Sequence, residues 1–130
     1  MELFYSELDN GISLIRLIGR LDGIGVEQIE PTFTTHCTGD GRRVLVDLSE
    51  LDYIGSAGIR MLAMNSRSLS AHGGRLALLT PTEDVKNILE IVGIPDLIPT
   101  YESRESAEAV LLAGSSPPYR DRYQERRTRH

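Results

Sequence analysis

Strand-like and helix-like segments alternate along this chain, and the alternation restricts the folds available to it. Val44 to Leu48 is a short apolar run containing β-branched residues, typical of a strand buried on both faces of a sheet. Ala57 to His72 carries apolar residues at helical spacing, and Arg75 to Leu79 is strand-like again. Because neighbouring parallel strands need crossover connections, this order predicts a mostly parallel sheet with helices packed on it.

The first twenty residues contain two strand-like runs with no helix between them. The runs Glu2 to Leu8 and Ile12 to Leu21 flank Asn10-Gly11, which is a strong signal for a hairpin turn. We therefore expect an antiparallel hairpin at the N-terminal edge of the sheet. The predicted fold is α/β, with a mixed, mostly parallel sheet.

The remaining elements follow from local signals. A helix is expected over Val26 to Cys37, although Pro31 interrupts its pattern. Thr80 followed by Pro81 predicts a helix that starts with Thr80 as its N-cap. A last strand at 97–101 and a helix capped by Ser103 and running up to Gly114 complete the predicted order β-β-α-β-α-β-α-β-α.

Length and charge indicate one domain with a distinct tail. The 130 residues suffice for a single core, which we place at 1–114, and 115–130 is a basic C-terminal extension. Five arginines against two acids give this extension a charge of +3. The net charge of the whole chain is −5, so residues 1–114 carry a charge of −8. An acidic body argues against direct binding of nucleic acid and favours a protein partner.

Cysteine usage and hydropathy suggest the compartment. Cys37 is the single cysteine, so no internal disulfide can form. The first residues do not resemble a signal peptide, and the longest purely apolar run, Ala109 to Ala113, is far too short for a membrane span. We expect a cytoplasmic protein without membrane insertion.

The motifs of common enzyme classes are missing. The chain has no phosphate-binding P-loop, and Ile54 stands where a nucleophile elbow around Ser56 would need glycine. The three histidines, His36, His72 and His130, lack the spacing of a helical zinc pair. We therefore expect a protein that is not an enzyme, with no catalytic residues, metal or cofactor.

Ser56 lies where a buried strand and a short loop lead into a helix. One interpretation is an N-cap, which stabilises a helix by about 1 kcal/mol relative to alanine. The other is a phosphoacceptor, because a phosphate at a helix N-terminus meets free N–H groups and the positive end of the helix dipole. Residue type alone favours the N-cap and does not exclude the phosphoacceptor.

Three stretches together resemble a known family. They are G-R-L-D at Gly19 to Asp22, the long run V-L-V-D-L-S-E-L-D-Y-I-G-S-A-G-I-R-M-L starting at Val44, and G-G-R-L-A-L-L-T-P at Gly73 to Pro81. From about Ile12 to Leu112 the chain looks like the STAS domain of bacterial anti-sigma factor antagonists.

The resemblance implies a binding protein that acts as a switch. In that family an anti-sigma factor with serine kinase activity phosphorylates the hydroxyl residue that opens the helix after the central strand, which is Ser56 here. The resemblance also places Asp22 near the acceptor at a partner-binding edge. The unphosphorylated form would bind the anti-sigma factor and so release a sigma factor. A serine phosphatase is a further candidate partner, and a homodimer is a candidate assembly.

Further residues around this edge have two interpretations. Met61 and Met64 are candidates for a soft partner-binding patch with Ala57, or for core filling. Arg60 is a candidate partner contact or simply a solvated side chain. Gly23 is expected in a tight turn. The full predicted partner-binding set is Asp22, Gly23, Gly55, Ala57, Gly58, Arg60, Met61 and Met64.

Two positions depart from the family pattern. The family usually has aspartate just before the acceptor and a second hydroxyl residue just after it, whereas this chain has Gly55 and Ala57; Gly58 matches the family glycine. A serine followed by alanine and glycine also resembles small STAS subunits of phospholipid-transport ATPases. The alternative function is therefore a STAS binding subunit or scaffold that is never phosphorylated.

Overall fold

The computed structural model describes residues 1–113, and the predicted order of elements is confirmed. The strands are β1 (Glu2–Glu7), β2 (Ser13–Leu21), β3 (Arg43–Ile54), β4 (Arg75–Leu79) and β5 (Thr100–Tyr101). The helices are α1 (Gly23–His36), α2 (Ser56–Ala71), α3 (Glu83–Ile91) and α4 (Arg104–Ala113), with a 3₁₀ turn at Ile94–Asp96.

The five strands form one mixed sheet in the order β1-β2-β3-β4-β5. β1 pairs antiparallel with β2, and all other neighbours are parallel, so the predicted fold class is confirmed. At the hairpin turn the Leu8 N–H donates to the Ile12 carbonyl at 2.9 Å. Gly11 adopts φ +88°, a left-handed conformation that favours glycine.

The sheet is covered on both faces. Helices α1, α2 and α3 pack on one face around the larger apolar core, in which Phe33 of α1 and Leu62 of α2 are fully buried. On the other face Ala107 and Leu111 of α4 pack against Leu45 and other apolar residues of the sheet. The β2 and β3 strands at the centre of the sheet contribute side chains to both cores, as expected of strands buried on both faces.

β3 is much longer than the predicted strand Val44 to Leu48. The predicted loop through Tyr53 was wrong, because β3 continues beside β2 as far as the pairs Arg20↔Tyr53 and Leu21↔Ile54. Register shifts after Arg16 and after Gly19 accommodate the extra residues. β5 is shorter than predicted, because Ile94–Asp96 form a 3₁₀ turn and Leu97 is exposed after it.

The predicted start of α3 was also wrong. Thr80 has φ +47° and belongs to the connection with β5, where its N–H donates to the Tyr101 carbonyl and its hydroxyl to the Glu102 carbonyl. Thr82 is the N-cap instead, and its hydroxyl donates to the Leu51 carbonyl at 3.0 Å. Helix α1 starts before Val26 and runs through Pro31.

Two predictions fall beyond the described part of the chain. The basic extension 115–130 lies outside the described residues, and so does Gly114 at the predicted end of the last helix. Ser103 caps α4 as predicted, since its hydroxyl accepts the Ser106 N–H at 3.1 Å. Within residues 1–113, no helix is long and apolar enough to cross a membrane.

Candidate functional site

The candidate site lies where β2 and β3 end side by side. Because the two strands are parallel, their carboxyl ends share one edge of the sheet, and the chain enters α1 after Leu21 and α2 after Ile54. The Gly55 N–H donates to the Leu21 carbonyl at 3.0 Å, which ties the two strand ends together. Asp22 and Ser56 thereby open two neighbouring helices on one surface.

Asp22 is the N-cap of α1. Its Oδ1 accepts the Gly25 N–H at 2.8 Å, and this hydrogen bond is the main reason that the pKa of the Asp22 carboxyl lies below its ordinary value. Gly25 is essential to the arrangement, since a Cβ there would lie 2.2 Å from the Arg20 carbonyl oxygen. The first turn of α1 therefore sits directly on the end of β2. Gly23 is the exposed first residue of the helix rather than part of a tight turn.

Ser56 is exposed and is the first residue of α2. It is not the N-cap, because Gly55 holds that position in an extended conformation. Gly55 contributes no side-chain cap, and the first turn of α2 contains no acidic residue. The free N–H groups and positive dipole end of α2 are therefore not neutralised by a side chain of its own first turn.

Gly58 and Met61 are buried, which corrects part of the predicted binding set. A Cβ on Gly58 would lie 2.8 Å from the Leu21 side chain, so this glycine lets α2 pack closely on β2. Met61 is 1% exposed, and the predicted partner contact is wrong for this residue because it fills the core. Ala57 is half-buried and packs against the larger core.

Arg60 and Met64 remain accessible. They follow Ser56 at spacings of four residues, so the three side chains lie along one face of α2. Arg60 is exposed and Met64 is 57% exposed. Both positions are compatible with the predicted partner contacts.

The sequence interpretation missed Ile24, which lies in the first turn of α1 and is 69% exposed. A usable signal was present, because Ile24 is out of phase with the buried residues Val26, Ile29 and Phe33. An apolar side chain outside the core-facing stripe of its helix is available to a partner.

Arg20 and Tyr53 were missed as well. The Arg20 guanidinium lies over the Tyr53 ring, 4.4 Å from its centroid, and its Nε is 3.7 Å from Asp22 Oδ2. Tyr53 also borders the start of α2, since a Cβ on Gly55 would lie 3.3 Å from its ring. We call the surface formed by Arg20, Asp22, Ile24, Ser56, Arg60 and Met64 the docking edge.

The other titratable candidates lie in different surroundings. His36 stacks on Tyr5 with ring centroids 3.7 Å apart, and burial raises the pKa of the Cys37 thiol to about 12. In the part of the chain from residue 1 to residue 113, no group of three His, Cys, Asp or Glu side chains is arranged to hold a metal ion.

Comparison with known proteins agrees with this geometry. The family model of the STAS domain matches residues 6–107. BtrV of Bordetella bronchiseptica, named as an anti-sigma factor antagonist, is 33% identical over 111 residues that cover 85% of this chain and 95% of BtrV.

Solved structures are similar over the same length. An anti-sigma-factor antagonist (STAS) domain protein from Planctomyces limnophilus is 26% identical, with a TM-score of 0.74 over 85% of this chain and 95% of that one. SpoIIAA in its unphosphorylated form, at 24% identity, has a TM-score of 0.69 over 84% of this chain and 96% of its own, which shows the same fold. The chain belongs to the STAS domain family, among the anti-sigma factor antagonists.

Proposed function

We propose that this chain is a phosphorylation-controlled antagonist. In its unphosphorylated form it binds an anti-sigma factor with serine kinase activity through the docking edge, and a sigma factor is released. Phosphorylation of Ser56 ends the complex. The observation that supports this proposal is that Ser56, an exposed residue, is the first residue of α2, a helix whose N-terminus has no side-chain cap.

This position suits a phosphate. A phosphorylated Ser56 would carry about 1.5 to 2 negative charges and would stand next to unpaired N–H groups at the positive end of α2. The modification is therefore compatible with the fold while it changes the surface that a partner contacts. A hundredfold loss of affinity requires about 2.7 kcal/mol, which like-charge repulsion in a docked interface can supply.

The surroundings of Ser56 suit a protein partner. Ile24 and Met64 expose apolar surface on the two helices that start at this edge, and Arg20 and Arg60 add polar contacts. Apolar anchors beside charged groups are the usual composition of a protein-binding surface. On this proposal the chain is a cytoplasmic regulator rather than an enzyme, and a serine phosphatase returns it to the binding form.

Incubation with candidate anti-sigma kinases and ATP tests the proposal. We expect one phosphate on the wild-type chain, none on Ser56→Ala, and wild-type incorporation on Ser68→Ala. Ser68 is the matched control because it is exposed on the same helix but three turns from Ser56. Phosphate retained on Ser56→Ala would overturn the assignment of the site.

A second candidate function rests on the residues that flank Ser56. Gly55 offers no side chain, and its Cβ position is crowded by the Tyr53 ring at 3.3 Å, so an acidic residue before the acceptor does not fit without movement of that ring. Together with Ala57 this favours a STAS subunit of a phospholipid-transport ATPase that is never phosphorylated. A pull-down that recovers a transporter ATPase and no kinase would favour this candidate.

The extension and the oligomeric state need a separate experiment. We propose that residues 115–130 form a basic extension outside the domain and that a homodimer is one state of the protein. Comparison of the molecular mass in solution with and without 115–130 tests whether this extension contributes to assembly.

A further inference from the structure

We propose that Arg20 is a binding contact for the anti-sigma factor, as a pre-positioned guanidinium that receives a carboxylate of the partner. This inference rests on the proposed function and names one contact of that complex. It adds to the position of the docking edge the kind of group that Arg20 binds there, a carboxylate.

Two contacts hold the Arg20 side chain while leaving it accessible. Its guanidinium lies 4.4 Å from the centroid of the Tyr53 ring, and its Nε lies 3.7 Å from Asp22 Oδ2, yet the side chain is 62% exposed. A long side chain that is already restrained loses less conformational entropy on binding. Arginine and tyrosine are also the residue types enriched among energetically dominant interface contacts.

The backbone of Arg20 is fixed by strand pairing and by the start of α1. Arg20 pairs with Tyr53 across β2 and β3, which sets the aromatic ring beside the arginine. The first turn of α1 approaches the Arg20 carbonyl so closely that Gly25 has no room for a Cβ. Arg20 is therefore attached to the same strand end and the same helix start that present Asp22.

The donors of Arg20 indicate the chemistry of the ligand. Around this strand end the positive charges of Arg20 and Arg60 are balanced by Asp22 and by the exposed Asp52 next to Tyr53, so the inference rests on the geometry of the Arg20 guanidinium rather than on net charge. Asp22 is the only carboxylate paired with Arg20 among residues 1–113, and its Oδ1 already accepts the Gly25 N–H. A guanidinium carries five N–H donors in a planar fork that matches a carboxylate, so Arg20 keeps donors for a second one.

The chain contains a matched control on the same strand. Arg16 lies four residues before Arg20, stacks over the Phe4 ring at 5.7 Å and pairs with Glu50. It thus has the same arginine, aromatic and carboxylate arrangement, but it lies further from the end of β2 that forms the docking edge. A general effect of removing an exposed arginine would be equal at the two positions.

The experiment measures the dissociation constant for the anti-sigma factor with serine kinase activity that phosphorylates the wild-type chain. We expect Arg20→Ala to weaken binding by about tenfold or more and to lower its salt dependence, whereas Arg16→Ala stays within about twofold of wild type. Arg20→Lys should recover only part of the affinity because lysine lacks the planar fork. The variant Arg20→Glu should bind poorly to the wild-type partner. Its binding should be restored when the partner's acidic residue that contacts Arg20 is replaced by arginine.

The outcomes separate the two proposals. Binding of Arg20→Ala within twofold of wild type, or equal losses for Arg20→Ala and Arg16→Ala, would overturn the role of Arg20 while Ser56 phosphorylation stands. Absence of both binding and phosphorylation with every candidate kinase would overturn the proposed function itself. Thermal unfolding of each variant at the wild-type midpoint verifies that the folded state is retained.

Discussion

Leu21 accepts a hydrogen bond from the Gly55 N–H at 3.0 Å, and the same residue forms the surface on which Gly58 packs. One residue at the end of β2 therefore positions both the N-cap and the first turn of α2. Because Asp22 follows Leu21 directly, a change in how α2 packs on β2 would alter the spacing between Asp22 and Ser56.

Gly58→Ala should destabilise the protein. The new methyl group would lie 2.8 Å from the Leu21 side chain and 2.9 Å from its carbonyl oxygen, closer than carbon contacts allow. We expect a loss of about 1 to 3 kcal/mol in the free energy of unfolding, despite the better helix propensity of alanine. Urea denaturation measures this loss.

Gly23→Ala is the control for this prediction. A Cβ at Gly23 meets no atom within 4 Å, and its backbone is not in the left-handed region. We expect no change or a gain of up to about 1 kcal/mol, because alanine reduces the freedom of the unfolded chain. Equal stability of Gly58→Ala and Gly23→Ala would contradict the close packing of α2 on β2.

The architecture could be predicted because it follows from local periodicity. The alternation of strand and helix patterns and the Asn10-Gly11 turn are properties of neighbouring residues. The lengths of β3 and β5 could not be predicted in the same way, because Tyr53 is in a strand only through its pairing with β2. Thr80 was mistaken for a helix cap because its left-handed backbone depends on hydrogen bonds to residues about twenty positions later.

The site was predictable only in outline. Ser56 stood out as a residue that opens a helix, and Asp22 was placed near it only by the family resemblance, whereas the burial of Met61 depends on how α2 rotates over the sheet. The stacking of Arg20 on Tyr53 joins residues 33 positions apart through strand register, which no local pattern reveals.

Ile24→Ser should weaken partner binding with little effect on folding. The side chain is 69% exposed, so its replacement leaves the core intact and should change stability by less than about 0.5 kcal/mol. Loss of an apolar anchor at the docking edge is expected to raise the dissociation constant for the anti-sigma factor about five- to tenfold.

Ile91→Ser provides the comparison, because Ile91 is 83% exposed at the end of α3 that lies away from the docking edge. Titration calorimetry on both variants measures the two affinities. Equal losses would show that exposed apolar surface in general, rather than Ile24, contributes to binding.

Cys37 should react slowly in the folded protein. Its side chain is buried, and desolvation raises the pKa of the thiol to about 12, so the reactive thiolate is scarce at pH 8. Relative to the denatured chain we expect the reaction with a disulfide reagent to be roughly a thousandfold slower. Reaction of the native protein at the rate of the denatured chain would contradict the burial of Cys37.

Asp22 should make the stability of the protein depend on pH in the acidic range. The Gly25 N–H holds the pKa of the carboxyl below its ordinary value of about 4, so the folded state binds the proton more weakly than the unfolded state does. The resulting stabilisation is complete above that ordinary value and is lost as the pH falls through the lower pKa of the folded state.

Asp22→Asn keeps an acceptor at the N-cap but removes the charge, so the variant should lack this contribution at every pH. The difference in thermal midpoint between wild type and Asp22→Asn should therefore shrink from pH 6 to pH 2, while the lowered pKa of Glu108 acts equally on both proteins. A difference that stays constant over this range would show that the Asp22 charge is not coupled to folding.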